Sequence, residues 1–491
     1  MSISKGRLAQ LGEHLPYKQR VRGSNPLAPK GKRVYSCIPL FYKSMKKLLE
    51  YLSPIEKVLL SFVLLILVGA CILCLPVCTT GGISFVDALF TSTSAVCVTG
   101  LIVLDTAKDF TFVGQLVILL LIQLGGLGIM TFSVALLSLM GGSVSIKWRF
   151  TLQNMYSDVS KLPIRTILGR IIIYTFTIEI TIALILFTQF IKRFTCTQAV
   201  WHSIFHSVSA FCNAGFSTFS NNLMDYNGNS VIILSIAIDI IAGGIGFLAM
   251  SELFNVKSFR LKQMWKKLTL HTRIVLITTT ILIFGGMLLF YILEYNGILQ
   301  TLSFKEKLLA SFFQSVTART AGFNTVDIGA LREGTCLVLI FLMFIGGSPG
   351  SIAGGVKTST FAILWLFLVS RLKGLRQITV WERALAYDNV ERAVTLVVVS
   401  GLFIFFATFI LVVIPTLPTG EFLQSFFEIT SAFGTVGLSM GITPKTVPLE
   451  RIILCVVMYT GRLGPLTLIS ALTMRKKTIN IKYAEDHIMI G

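Results

Sequence analysis

Apolar residues in this chain come in long uncharged blocks rather than in amphipathic stripes. Windows of about 20 apolar residues, the length that crosses a bilayer, recur at 58–78, 113–139, 171–191, 231–250, 274–293, 337–368, 394–415 and 452–473. They predict eight spans, and an even number places both termini on one side of the membrane. The segments between the two spans of each successive pair are not simple connections. Each holds a short semi-apolar stretch ending in glycine: Phe90 to Gly100, Phe205 to Gly215, Phe312 to Gly322 and Phe427 to Gly437. The phenylalanine stands ten residues before the glycine in all four. Ser-Ala precedes it by six and five residues in three copies, and the third copy has Val316-Thr317 instead.

Four copies in register mark an internal repeat. A stretch of roughly ten residues is too short to span, so each reads as a re-entrant half-helix and an extended loop. Non-helical backbone at membrane depth is tolerated only where protein buries it or it lines water. The expected fold is therefore an all-α membrane protein. Four pseudo-symmetric units of helix, pore helix, filter loop and helix surround one pore. The predicted units are 45–145, 146–258, 259–376 and 377–474, with a C-terminal tail at 475–491.

A cation that sheds its water needs replacement oxygen ligands, and backbone carbonyls supply them without the tight grip of a charged side chain. Aiming successive carbonyls at one axis takes dihedrals that glycine tolerates best, and each pore-helix C-terminus adds partial negative charge. The expected ion filter is Val98, Thr99, Gly100; Asn213, Ala214, Gly215; Thr320, Ala321, Gly322; and Thr435, Val436, Gly437. These loops carry no acidic ring, which argues against divalent selectivity.

A second repeat interrupts the second helix of each unit with small residues: Gly125-Gly-Leu-Gly128, Gly243-Gly-Ile-Gly246, Gly346-Gly-Ser-Pro349 and Gly461-Arg-Leu-Gly464. Close helix packing explains small residues in lipid, but two copies depart from it. The third continues through Gly350, Ser351, Gly354 and Gly355, so that helix is expected to break into an intramembrane loop. Residues Gly346, Gly347, Ser348, Pro349, Gly350, Ser351, Gly354 and Gly355 are then candidate gate residues. The fourth copy places Arg462 within an apolar span, where a charge is costly and functional by default. It is expected beneath the filter, as an electrostatic barrier within the gate.

Composition agrees with this reading: 54% hydrophobic, 13% charged, mean hydropathy +0.79. Disorder and a soluble domain are excluded, and nine cysteines in 491 residues do not make a disulfide scaffold. The net charge of +20 reflects orientation rather than nucleic-acid binding. Basic residues such as Lys147, Arg149, Lys257, Arg260, Lys266, Arg371 and Arg376 crowd alternate loops. The positive-inside rule then puts these loops and both termini in the cytoplasm of a multi-pass cell-membrane protein, near anionic lipids. Residues 1–44 carry nine basic residues and one acid. They read as a lipid-attracted tail, as a targeting segment or, preferred here, as a mis-assigned start upstream of Met45. The run Arg7 to His14 followed by Arg22 to Leu27 resembles the peptide read from a translated transfer-RNA gene.

From about residue 50 to Gly491 the chain resembles the Trk, Ktr and HKT superfamily of potassium transporters, closest to the KtrB membrane subunit. The resemblance implies a homodimer with one pore per subunit, on a KtrA-like cytosolic ring of nucleotide-binding regulatory subunits. Sodium-selective HKT members carry serine at the position matching Gly100, so four glycines imply potassium. The broken third-unit helix and Arg462 match the family's gate and pore-arginine positions. Glu179 matches a usual family position, and Asp239 does not. Potassium is the expected cargo, no cofactor is expected in this chain, and sodium is left open as activator or co-traveller.

Other signals are discounted. His202 and His206 have metal-ligand spacing but no third ligand nearby, so pore-helix packing is the preferred reading. Cys71, Cys74 and Cys78 read as small apolar residues in lipid. Cys97 and Cys212 lie in filter loops, and Arg319 is expected to brace a loop through carbonyls. No nucleotide-binding glycine motif is present, and catalytic residues do not cluster as an enzyme would require. The remaining alternative is a sodium-coupled secondary transporter, although such folds carry inverted repeats and these run parallel.

Overall fold

The structure, a computed structural model, describes residues 54–128, 164–255, 261–375, 377–381, 383–413 and 422–464. They belong to one compact unit, Leu52–Gly491. The N-terminal 44 residues, the ends of the second and eighth predicted spans and the C-terminal tail lie outside the described residues.

The order long helix, short helix, loop, second helix occurs four times along the chain. The first set is α1 (Pro54–Leu73), α2 (Phe85–Val96) and α3 (Phe112–Gly126). The second is α4 (Ile164–Phe190), α5 (Cys196–Phe211), α6 (Ser230–Ile245) and α7 (Phe247–Asn255), followed by a connecting α8 (Leu261–Lys267). The third is α9 (Leu270–Glu294), α10 (Phe304–Thr317), α11 (Glu333–Phe344) and α12 (Thr358–Leu372). A two-residue β-hairpin (β1 Thr379–Val380, β2 Arg383–Ala384) leads to α13 (Tyr387–Val413), α14 (Phe422–Gly434) and α15 (Pro448–Leu463).

The four long first helices, α1, α4, α9 and α13, are long and apolar enough to cross a membrane, as is the pair α6–α7 if it counts as one bent span. Their outer faces are built for lipid. On α9, Ile281, Phe284, Leu288 and Ile292 are 64%, 59%, 58% and 60% exposed, an apolar stripe that water would not tolerate.

The short helices form the core. Capping starts them where the sequence supplies it. The Ser84 hydroxyl accepts from Asp87 N on α2. On α10, Ser303 and Glu306 form a reciprocal capping box. Three short helices are tied to the long helix of their own set by a hydroxyl donating to its backbone: Ser92 Oγ to Ile66 O at 2.7 Å, Ser207 Oγ to Glu179 O at 2.7 Å and Ser315 Oγ to Ile283 O at 2.6 Å. Gly69 and Gly286 leave room for Ser92 and Ser315 at these crossings.

The second helices approach so closely that only glycine fits. A Cβ on Gly125, Gly243 or Gly461 would run into the carbonyl oxygen of Val96, Phe211 or Phe433, each at or near the end of the short helix in its own set. Close packing therefore does account for the first glycine of the motif in these three sets. Gly243→Ala is expected to lower stability by about 1–3 kcal/mol, the usual cost of overpacking. A thermal shift of detergent-solubilised protein measures it, and an unchanged melting temperature would refute the packing account.

Two predicted spans are not continuous. The 231–250 window is α6 and α7, bent by 107° at Gly246, whose φ of +94° no helix can contain. The 337–368 window is α11 and α12, separated by a loop at 345–357. The second break was expected from sequence and the first was not. Gly128 and Gly464 also sit at positive φ, +84° and +83°, at the ends of α3 and α15. The last glycine of the motif thus ends a helix in three sets, and Gly350, at φ +72°, follows Pro349 in the other.

Candidate functional site

Each short helix ends in a left-handed residue two positions before its loop glycine. These are Val98 (φ +56°), Asn213 (+56°), Thr320 (+78°) and Thr435 (+51°), and the glycines themselves lie at +87°, +69°, +77° and +90°. A β-branched residue in this region is a genuine outlier, so the chain holds strain at three of these four positions. The surroundings fix it. Thr99 N, Ala214 N and Val436 N each donate to the carbonyl five residues back, at 2.7–2.8 Å. The hydroxyls at the repeated Ser-Ala position complete the turn. Ser94 Oγ accepts from Gly100 N at 3.0 Å and Ser431 Oγ from Gly437 N at 3.1 Å. Ser209 Oγ donates to Phe216 O and, in the third copy, Thr317 Oγ1 to Phe323 O, both at 2.7 Å.

The structure brings all four loops together in a closed ring. Gly100 faces the Ala214 carbonyl and Gly215, Gly215 faces the Ala321 carbonyl and Gly322, Gly322 faces the Val436 carbonyl and Gly437, and Gly437 faces the Thr99 carbonyl and Gly100. No side chain fits at any of the four junctions, because a Cβ would press on the neighbouring loop's carbonyl oxygen. Of the twelve sequence-predicted filter residues, eleven are buried and Gly437 is half-buried. At three of the left-handed positions the side chain bonds a neighbouring segment. The Asn213 amide lies 3.1 Å from Thr320 Oγ1 in the next loop, and Thr435 Oγ1 accepts from Gly354 N at 3.1 Å.

That last bond leads to the 345–357 loop, which touches every other set. Its Ser348 N donates to Gly244 O at 2.9 Å and its Gly350 O accepts from Phe247 N at 3.1 Å, both at the α6–α7 break. Ile352 packs against Gly126 of α3. Arg462, from α15, donates to Ile352 O and to Gly125 O, so one guanidinium clamps the loop to α3. Arg319, buried at the end of α10, donates to Gly346 O at 3.4 Å; it braces a carbonyl as expected, though in this loop rather than its own. The 345–357 loop thus bonds or packs against all three other sets.

The TrkH family of cation transport proteins matches residues 54–480. This chain belongs to that family. It is 38% identical over 441 residues to Ktr system potassium uptake protein B of Bacillus subtilis, covering 89% of this chain and 97% of that protein. It is 36% identical to potassium/sodium uptake protein NtpJ of Enterococcus hirae, covering 91% and 99%. The fold is similar to the crystal structure of the potassium transporter TrkH from Vibrio parahaemolyticus, with a TM-score of 0.67 and 22% identity over 89% of this chain and 90% of that one. The TrkH-family chain is a membrane transport protein, not an enzyme.

Within this TrkH-family chain the secondary signals also find their places. Asp239 and Glu179 share one polar cluster behind α5. Ser207 Oγ lies 3.1 Å from Asp239 Oδ2, and Gln123 Nε2 donates to Glu179 Oε2 at 3.3 Å. His202 Nδ1 lies 2.7 Å from Thr218 Oγ1, and His206 bonds His202 O and Ser217 Oγ, so both imidazoles serve the chain beyond the second glycine. All eight cysteines among the described residues are free. Cys212 Sγ sits 3.5 Å from Gln123 Oε1. Two charged positions beside the site escaped the sequence reading. Lys357 Nζ donates to Ala353 O, adding a third cation to the 345–357 loop. The signal was present, a lysine inside the apolar 337–368 window. Glu428, fully buried in α14, was read only as part of the repeat.

Proposed function

We propose that this chain takes up potassium across the cell membrane through a channel-like pore whose filter is the ring of four loops. The observation that carries the reading is the closure of that ring, in which backbone carbonyls and glycines alternate around one axis. The names of the Bacillus and Enterococcus relatives, potassium uptake protein B and potassium/sodium uptake protein, support potassium as the cargo. The filter residues are Val98 to Gly100, Asn213 to Gly215, Thr320 to Gly322 and Thr435 to Gly437. The gate is the 345–357 loop, closed by Arg462 and helped by Lys357 and Arg319. Four pseudo-symmetric units at 45–145, 146–258, 259–376 and 377–474 make eight membrane crossings, some of them broken, with both termini in the cytoplasm. The protein works as a homodimer on a cytosolic nucleotide-binding subunit, and the membrane potential drives entry with about 2.3 kcal/mol per charge per 100 mV.

The test is potassium influx into proteoliposomes under an imposed potential, with and without sodium and with a nucleotide-binding partner. Potassium entry that follows the potential is expected. Electroneutral uptake of another solute, with no potassium current, would overturn the reading.

A further inference from the structure

Beyond each loop glycine the chain must turn away from the axis, and in two sets the turn is tied back to the short helix by one particular bond. In the second set, the residue nine before the glycine is His206 and the residue two after it is Ser217; His206 Nε2 lies 2.9 Å from Ser217 Oγ. His206 Nδ1 faces the His202 carbonyl oxygen at 2.7 Å, which makes Nδ1 the protonated nitrogen. Nε2 is then an acceptor, and Ser217 donates to it. In the fourth set the same two offsets give Glu428 and Ser439. Ser439 Oγ donates to Glu428 Oε1, which also accepts from Thr443 Oγ1 at 3.0 Å. The first and third sets have Thr91 with Ile102 and Phe313 with Asn324, pairs that cannot make this bond because isoleucine has no donor and phenylalanine no acceptor. Gly215 has Gly100 and Gly322 as ring neighbours, so the second and fourth loops face each other across the axis.

We infer that His206 and Glu428 are positioning residues for cation discrimination, each holding the exit of one of two opposite filter loops through a serine hydroxyl. The inference rests on the filter reading above. A smaller cation needs its oxygen ligands drawn closer than a larger one does. Loops pinned on opposite sides cannot close inward, and loops released at their exits can. His206 and Glu428 stand nine residues before the filter glycines and bond hydroxyls two residues beyond them, so they act on the loops through Ser217 and Ser439. This use of the histidine also explains its place on α5 without any metal.

The experiment measures the ratio of potassium to sodium influx in proteoliposomes for Ser217→Ala, Ser439→Ala and the double variant. These truncations spare the buried histidine and glutamate, and size-exclusion profiles check that folding is intact. The double variant is expected to lose about tenfold in the ratio, the order of one lost buried hydrogen bond per loop. Ser439→Thr and Glu428→Gln keep the donor and the acceptor respectively and are expected to retain the ratio. Gly100→Ser is run in parallel. If it relaxes the ratio while the serine variants leave it unchanged, the inference is overturned and the filter reading stands. If potassium and sodium influx fall in proportion, the bonds serve stability alone and the inference is overturned. If Gly100→Ser also leaves the ratio unchanged, the filter reading falls and takes the inference with it.

Discussion

Gly100→Ser is expected to admit sodium. The added Cβ has no space, because the carbonyl oxygen of Ala214 and the Cα of Gly215 occupy it. The new residue would also have to keep a φ of +87°, which costs a non-glycine residue roughly 1–2 kcal/mol. The first loop therefore relaxes away from the second, and the junction that sets the spacing of their carbonyls opens. The hydroxyl brings a further oxygen into the space vacated. Selectivity for potassium over sodium should fall by at least about tenfold, equal to ~1.4 kcal/mol of lost discrimination. Because the ring is closed, Gly437→Ser should act similarly through Thr99 on the other side of the same loop. Competitive influx of the two ions, at expression matched to the parent chain, reads the effect. A preserved ratio in both variants would remove the glycine ring from selectivity.

The part of this site that could be read from sequence is the part written as spacing. Four glycines in register, each ten residues after a phenylalanine, identified the loops because a repeat constrains all copies at once. The long helices α1, α4, α9 and α13 were legible because lipid exposure demands unbroken apolar runs. The break between α6 and α7 was not legible, since hydropathy continues through Gly243 to Gly246 and reports burial rather than backbone angle. Gly-x-x-Gly was read as packing. That holds for its first glycine against Phe211, while its last glycine makes the bend. The order of the ring also lay beyond the sequence, because it depends on contacts between loops more than a hundred residues apart. Arg462 shows the same limit. A charge in an apolar span announces a function, but its partner, a backbone carbonyl at Ile352, leaves no mark in the sequence. The pairing of Glu428 with Ser439 was not legible either, because nothing in the sequence marks a side-chain bond that closes over the filter glycine.

Arg462→Ala is expected to raise potassium flux in the absence of any activating partner. The guanidinium has two effects that point the same way. It donates to Ile352 O and Gly125 O, fixing the 345–357 loop to α3, and on the proposed reading its positive charge stands in the cation path. Hydrogen bonds from a charged group are worth about 1.5–3 kcal/mol each. Loss of one of them as a closing contact corresponds to roughly a ten- to hundredfold rise in the rate of opening. The loop would not fall free, since Ser348 N still bonds Gly244 O, Gly354 N still bonds Thr435 Oγ1, and Arg319 remains on Gly346 O. The increase should therefore be smaller than that from deleting Gly350 to Ala353, which removes Ile352 and much of the loop itself. Arg462→Lys separates the two effects. If charge is the barrier, lysine keeps flux low. If the two-carbonyl clamp is the barrier, lysine behaves like alanine, because its single ammonium cannot reproduce the planar fork that spans Ile352 and Gly125. Basal influx into proteoliposomes without a partner protein distinguishes these cases. Flux equal to that of the parent chain in both Arg462→Ala and the deletion would show that the 345–357 loop is not the closing element.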